Sequence, residues 1–299
     1  MDDTSRRVTD FYNNIAEDYH RQYDRELLRD TSRPYPANYF RLQLLLNSFT
    51  RENIRRVVEI GVGEGTPFAA MASAGIEVWG FDISEAMVEK SREKARNLGM
   101  DESRIFCGDI RDPRTYAGLL NGRPFDGLVA MGVMPHIEND DMVLENMAAL
   151  VKPGGTMFVE FRNRLFSLFT FNRYTYDFII NDLLAGVDEQ MKRIVADELN
   201  KRLRMDMPPP PEGSSIPGKA GTYNILAKFH NPFEATEMFR RHGFDKIQLL
   251  WYHYHPAQPW LEDKNRDLFR SEAMRLEHEQ SGWRGLFLCS AFIVEAVKK

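Results

Sequence analysis

From Arg56 onward, short apolar runs alternate with longer stretches in which apolar residues recur every three or four positions. That is the pattern of a parallel sheet covered by helices on both faces. The runs predict strands at Arg56 to Ile60, Glu77 to Phe81, Arg104 to Cys107, Gly127 to Met131 and Thr156 to Phe161. Between them, Ser84 is placed to cap a helix over Glu85 to Leu98, with Met87, Ser91, Ala95 and Leu98 on one face and Gly99 at its exit. Another helix is expected from Asn139, because Asp140 and Asp141 favour the positive N-terminal end, with Pro153-Gly154-Gly155 as its stop. The first fifty residues read as helices, with aromatic and apolar positions in FYNNIAEDYH and YFRLQLLLNSF that are able to cover one end of the sheet.

After Phe161 the alternation breaks, and residues 162–231 are too many for a simple connection, so an inserted cap is expected after the fifth strand. It contains the aromatic-rich FRNRLFSLFTFNRYTYDF and a helical run marked by Met191, Ile194, Val195, Leu199 and Leu203. PPPPEGSSIPGKAG follows; Pro208 to Pro211 predict an extended spacer, and residues 208–221 a loop able to act as a lid. Order returns with a capped helix near Pro232 to His242, a strand in DKIQLLWYHYH, a charged helix from Leu261 to Gln280 and a final strand in LFLCSAFIVEAV. The expected organisation is a helical segment (1–50), a core (51–161), the cap (162–231) and the C-terminal part of the sheet domain (232–299), without internal repeats.

Composition narrows the function classes. With 43% apolar and 28% charged residues the chain is of ordinary globular make-up, far from disordered or fibrous sequences. A net charge of -5 supplies no general attraction to nucleic acid or an anionic membrane, so a small-molecule partner is expected and nucleic acid is not. The N-terminus lacks a secretory apolar core, and no stretch approaches the roughly 20 apolar residues that span a bilayer, so a cytoplasmic location is expected. Cys107 and Cys289 stand far apart and outside any CxxC arrangement, which suggests two small buried hydrophobes rather than a disulfide or zinc site.

The strongest local signal is VVEIGVGEGTP, where Gly61, Gly63 and Gly65 alternate after an apolar strand and Glu59 precedes the first glycine by two residues. Alternating glycines let the backbone turn tightly and approach a ligand without Cβ interference. Asp82 and Asp109 follow the second and third strands, at the carboxyl edge where parallel sheets gather ligand contacts. A carboxylate at Asp82 can accept both hydroxyls of a ribose; helix capping is the plainer role for each acid. The glycine spacing departs from the GxGxxG of nicotinamide-dependent dehydrogenases, since Thr66 takes the place of the third glycine.

These residues, with Gly108-Asp109-Ile110 and Leu150-Val151-Lys152-Pro153-Gly154-Gly155, resemble the class I S-adenosylmethionine-dependent methyltransferases over Arg56 to Phe161. The resemblance implies a seven-stranded, mostly parallel sheet whose last strand is antiparallel, and S-adenosyl-L-methionine as cofactor. It puts Asp82 on the cofactor ribose, Asp109 and Ile110 around the adenine, Ile83 among the cofactor contacts, and Met131 beside the methionine part with Glu59 and Gly61 nearby. FYNNIAEDYH resembles the segment that folds over the cofactor in many small-molecule members, with Tyr12 and Tyr19 as contacts. After the fourth strand, Met131-Gly132-Val133-Met134-Pro135-His136 lacks the Asn/Asp-Pro-Pro-Tyr/Phe of enzymes that methylate nucleobases or protein amides, which argues for a small acceptor.

A sulfonium is already activated, so the protein's task is to align the nucleophile and exclude water, without a metal. An alcohol must also lose its proton, and His136, just beyond the fourth strand, is the candidate base. In Tyr252-His253-Tyr254-His255, strand alternation puts both histidines on one face, where pocket lining or ordinary surface packing is expected rather than metal binding. The cap supplies Phe161, Arg162, Asn163, Phe166, Phe169, Phe171, Asn172, Tyr174 and Tyr176, a wall suited to a sugar or polyketide-like acceptor or simply the core of the cap. Arg162, Tyr174 and His253 are the candidate acceptor contacts, and Arg162 and Arg164 are candidates to hold a phosphate or carboxylate. The expectation is an O-methyltransferase on a hydroxyl of a sugar or specialised metabolite. The alternatives are an N-methyltransferase on a small amine and a non-catalytic cofactor-binding protein.

Overall fold

Seven strands, β1 (Arg56–Ile60), β2 (Glu77–Asp82), β3 (Ile105–Cys107), β4 (Phe125–Ala130), β5 (Val151–Arg162), β6 (Phe244–Tyr254) and β7 (Cys289–Lys298), form one sheet in the order β3-β2-β1-β4-β5-β7-β6. The computed structural model describes residues 7, 9, 23, 25–30, 33–207 and 226–299. β1 to β5 pair in parallel, while β7 runs antiparallel to both β5 and β6, as the resemblance implied. The helices of eight residues or more are α1 (Ala37–Arg51), α2 (Thr66–Ser73), α3 (Glu85–Asn97), α4 (Asp140–Leu150), α5 (Glu189–Arg202), α6 (Pro232–Arg241) and α7 (Arg266–Leu276).

Because strand side chains alternate, each central strand feeds two cores. Val58, Ile60, Leu128, Ala130, Met157 and Val159 pack with Val143, Leu144 and Met147 of α4 and Met238 and Phe239 of α6. Val57, Val129, Phe158 and Ile293 meet Leu44, Leu45 and Phe49 of α1 and Phe68 and Met71 of α2 on the opposite face. Local capping fixes the helix ends. The Ser84 hydroxyl accepts from the Met87 amide at 3.1 Å, Asn139 from Met142 at 3.1 Å and Asn231 from Phe233 at 3.0 Å.

Several elements differ from the sequence pattern. Pro153-Gly154-Gly155 does not stop α4, which ends at Leu150; these residues belong to β5, where Val151 pairs with Phe125. A Cβ on Gly155 would sit 2.9 Å from the Asp126 carbonyl oxygen, so glycine serves a close strand approach there. The charged helix expected from Leu261 to Gln280 is split into a 3₁₀ turn, Pro259–Lys264, and α7, because the Asn265 side chain accepts from the Leu268 amide and starts a new helix. The last strand begins at Cys289, after a helical turn over Gly285–Leu288. Cys107 is exposed on the edge strand β3, not buried, whereas Cys289 is buried. Tyr12, Tyr19 and the 208–221 loop lie outside the described residues. No helix among the described residues is long and apolar enough to cross a membrane.

Three carboxylates interrupt the α1 face of the sheet: Glu59, Glu160 and Glu295 are all nearly inaccessible. Helix α1 meets two of them with its own polar residues. The Arg41 guanidinium donates to Glu160 at 2.6 Å, the Ser48 hydroxyl donates to Glu295 at 2.9 Å, and Arg51 also pairs with Glu295. Removing one member of a buried pair strands the other charge, so Arg41→Met should destabilise the protein by about 3–5 kcal/mol in urea unfolding. Arg41→Met combined with Glu160→Gln should lose clearly less than the two single losses added together. Additive losses would show that the pair is not coupled.

Candidate active site

Beyond Ile60 the chain turns through three left-handed glycines, Gly61 (φ 72°), Gly63 (φ 56°) and Gly65 (φ 84°), before α2 starts at Thr66. The turn is pinned to β2. The Gly61 and Val62 amides both donate to the Phe81 carbonyl, at 2.9 and 3.1 Å, and the Gly63 amide donates to Asp82 Oδ2 at 2.9 Å. Asp82 Oδ1 accepts from the Ser84 amide at 2.9 Å, so one carboxylate ties the glycine turn to the start of α3. Burial raises the Asp82 pKa, and its backbone donors oppose the rise.

A cleft opens over this turn and is lined by Glu59, Gly61, Gly63, Asp82, Ile83, Asp109, Ile110, Met131 and His136, all expected from the sequence to share a site. Gly65 is not on its wall; it forms the left-handed cap of α2, packed against Ser91. Asp109 is gripped by Arg111 through two side-chain bonds of 2.9 and 2.6 Å, so it enters the cleft already paired. The Ile110 carbonyl is held by the Tyr116 hydroxyl at 3.1 Å and the Asn146 amide at 2.9 Å. Glu59 differs from the other acids. Burial pushes its pKa well up, with Arg41 pulling the other way, and its Oε2 is buried without a hydrogen-bond partner among the described residues. A buried acceptor on a cleft wall fits a ligand that brings a donor, such as the ammonium of an amino-acid moiety.

His136 ends a short 3₁₀ turn, Met134–His136, that follows Met131 and Gly132 at the carboxyl end of β4. Its Nδ1 lies 2.5 Å from the Leu226 carbonyl oxygen. A carbonyl only accepts, so Nδ1 carries the proton of the neutral ring and Nε2 the lone pair. Burial holds the His136 pKa below the usual imidazole value; the Leu226 carbonyl opposes this, the nearby Arg162 charge adds to it and Glu160 opposes it. The segment that supplies Leu226 also donates from Lys228 N to Pro135 O at 2.8 Å and from His230 N to Arg162 O at 2.7 Å, bridging the His136 turn to the end of β5.

A second cavity adjoins the first across the Arg41–Glu160 pair, since Arg41 lines the cleft and Glu160 the cavity. Arg162 and His253 lie on its wall with Tyr35, Asn38, Tyr252, Phe229 and Ser290. Tyr174 does not; its ring is 5.6 Å from that of Phe229, behind the wall. Arg164 points elsewhere and pairs with Asp182 at 2.5 Å. Asn163 is buried and donates to the Leu286 and Cys289 carbonyls, and Asn172 caps Tyr174, so much of the aromatic stretch is structural. His253 has φ 58°, which breaks the alternation and lets Tyr252 and His253 reach the same cavity. The His253 ring stacks on Tyr35 at 5.3 Å, its Nδ1 is 2.8 Å from the Ser290 hydroxyl, and burial depresses its pKa to about 4. Its ring lies 4.8 Å from that of His255, and no group of three metal-ligating side chains occurs among the described residues.

Sequence reasoning missed Arg41, Glu160 and Tyr35. A usable signal existed: Glu160 and Glu295 stand in otherwise apolar strands, and Arg41 and Ser48 stand among the apolar residues of α1.

A methyltransferase domain family model matches residues 57–155. With the sheet order and the glycine turn, this marks residues 57–155 as a class I S-adenosylmethionine-dependent methyltransferase domain, with S-adenosyl-L-methionine as its cofactor. The chain is 24% identical over 242 residues to the ubiquinone biosynthesis O-methyltransferase of Coxiella burnetii (strain Dugway 5J108-111), covering 81% of this chain and 85% of that protein. The enzyme of the same name from Chelativorans sp. (strain BNC1) is 30% identical over 148 residues, covering 50% of this chain and 56% of that one. Among solved structures, the magnesium protoporphyrin IX methyltransferase of Synechocystis PCC 6803 with bound SAH shares the fold with a TM-score of 0.52 at 15% identity, covering 98% of both chains. A possible histamine N-methyltransferase from Thermotoga maritima shares it with a TM-score of 0.53 at 16% identity, covering 97% of this chain and 99% of that chain.

Gly65 and Gly63 of the glycine turn separate stability from binding. A Cβ at Gly65 would meet Ser91 Oγ at 2.5 Å and Ser91 Cα at 3.0 Å, whereas a Cβ at Gly63 meets nothing within 4 Å. Gly65→Ala should therefore lower unfolding stability by about 1–3 kcal/mol or more. Gly63→Ala should show only the left-handed backbone penalty of roughly 1 kcal/mol but weaken S-adenosylhomocysteine binding about tenfold or more, measured by calorimetry. Unchanged affinity in Gly63→Ala would place the cofactor away from this turn.

Proposed function

We propose that the chain methylates a hydroxyl oxygen of a small molecule bound in the second cavity, with His136 as general base. The observation that carries this reading is the His136 tautomer: the Leu226 carbonyl holds the proton on Nδ1 and leaves the basic nitrogen on the other edge of a ring that lines the cofactor cleft. The relatives named as ubiquinone biosynthesis O-methyltransferases support oxygen as the accepting atom and a small molecule as its carrier.

In this reading Asp82 accepts the ribose hydroxyls through the lone pairs that its backbone donors leave over, and Ile83, Asp109 and Ile110 flank the adenine. Glu59 Oε2 accepts from the amino group, and Gly61 and Met131 border the methionine part. Bound there, S-adenosylmethionine supplies an electrophilic sulfonium methyl group. His136 Nε2 would take the acceptor's hydroxyl proton as the oxygen bonds to the methyl carbon and the carbon–sulfur bond breaks, leaving S-adenosylhomocysteine. Burial favours the neutral ring and so keeps His136 ready to accept that proton near neutral pH.

The pH dependence follows with a definite sign. Protonated His136 cannot act, so kcat should fall as pH drops through its folded pKa, and that limb should lie below the ordinary value of about 6.5. Above it the rate should be flat towards neutrality. His136→Ala should lower kcat by about 10²- to 10⁴-fold, remove the acidic limb and leave S-adenosylhomocysteine affinity within a few-fold. Turnover unchanged by the substitution, or label from methyl-tritiated cofactor appearing only on nitrogen, would refute the assignment.

A further inference from the structure

We propose that the second cavity selects acceptors bearing an oxyanion, a carboxylate or a phosphate, and that Arg162 holds that group while the hydroxyl is methylated. The inference rests on reading this cavity as the acceptor site. Its ground is the charge left on the cavity wall when every pairing is followed. Glu160 is neutralised by Arg41 and also accepts from the Gly132 amide at 2.7 Å. Arg33 is paired with Asp30 at 3.1 Å. His253 is neutral at physiological pH, since burial depresses it, and Tyr35 donates its hydroxyl to Glu277 at 2.7 Å. Arg162 remains. Its partly buried guanidinium has no hydrogen bond or ion pair among the described residues, although it lines a concave wall.

A partly desolvated guanidinium without a counter-ion is an anion site, and its planar fork matches carboxylate or phosphate through two parallel bonds. Alternation along β5 gives it the right direction. Glu160 and Arg162 point to the same side, with Glu160 against the cofactor cleft and Arg162 one step further out. The Arg162 charge is also near enough to be felt by His136 on the cofactor cleft. The competing anion is the cofactor's own carboxylate, but Arg41 lines the cofactor cleft and Arg162 does not.

The test uses the full chain, methyl-tritiated S-adenosylmethionine and a whole extract of the source cells, with labelled products separated on an anion exchanger at mildly alkaline pH. Label retained by the column is the expected result. Phosphatase treatment beforehand then distinguishes the sources, releasing label held through phosphate and leaving carboxylates bound. Label in uncharged small molecules would overturn the proposal and leave the small-molecule reading standing; label only in protein or nucleic acid would overturn that reading instead. With the retained acceptor purified, Arg162→Gln should lower kcat/KM by about 10- to 100-fold through KM, and Arg162→Lys should recover part of the loss. Affinity for S-adenosylhomocysteine should stay within about twofold in both variants. A parallel fall in that affinity would assign Arg162 to the cofactor and defeat the proposal.

Discussion

A carboxylate buried at the end of a central strand has to be neutralised by something equally buried, and here Arg41 meets Glu160 at 2.6 Å with both side chains almost out of solvent. The consequences reach three other elements. Arg41 fixes how α1 lies on the sheet, Gly132 donates to the same carboxylate from the turn after β4, and Tyr252 hydrogen-bonds it from β6. In a low-dielectric setting each of these bonds constrains its donor more strongly than it would in water. The pair is also the wall between the cofactor cleft and the second cavity.

The same pair explains what the sequence conveyed and what it withheld. Strand positions were legible because a short apolar run, buried on both faces of a parallel sheet, is a local property; Arg56 to Ile60 was located to the residue, and Ser84 and Asn139 cap the helices that their side chains announced. The glycine turn and the acids at strand ends were legible for the same reason, since they form one contiguous edge of a parallel sheet. Boundaries failed where a side chain or a close approach overrode the pattern, as Asn265 did in splitting the charged helix and Gly155 in joining a strand.

The second cavity was only half legible. Arg162 and His253 were named, yet Tyr35, Arg41 and Glu160 were not, because an arginine on a helix ordinarily marks the solvent face and a glutamate in a strand ordinarily marks an edge. Contacts that connect residues more than a hundred positions apart, such as Arg41 with Glu160 or Tyr35 with Glu277, leave no periodic trace in the chain. Tyr174, by contrast, was named but is not on the cavity wall. Its place in an aromatic run suggested ligand contact, but the run mostly packs the cap, and Tyr174 supports Phe229 from behind.

The far wall of that cavity shows why it is held so firmly. His253 adopts a left-handed backbone that a non-glycine residue takes only when its surroundings impose it. Here the surroundings are the Glu277 carboxylate, which accepts from the backbone amides of His253 and Tyr254 and from the Tyr35 hydroxyl. Successive amides turned onto one carboxylate form a small anion nest, and their bonds offset the strain. Burial raises Glu277 to about 7, so near neutral pH the nest and the Tyr35 hydroxyl work to keep it ionised against its surroundings. Tyr35 is thereby fixed at both ends of its ring, through its hydroxyl on Glu277 and its face on His253. A wall fixed in this way needs little reordering to receive a ligand; on the proposed reading of this cavity as the acceptor site, the Arg162 charge and the shape between Tyr35, Tyr252 and Phe229 decide what enters.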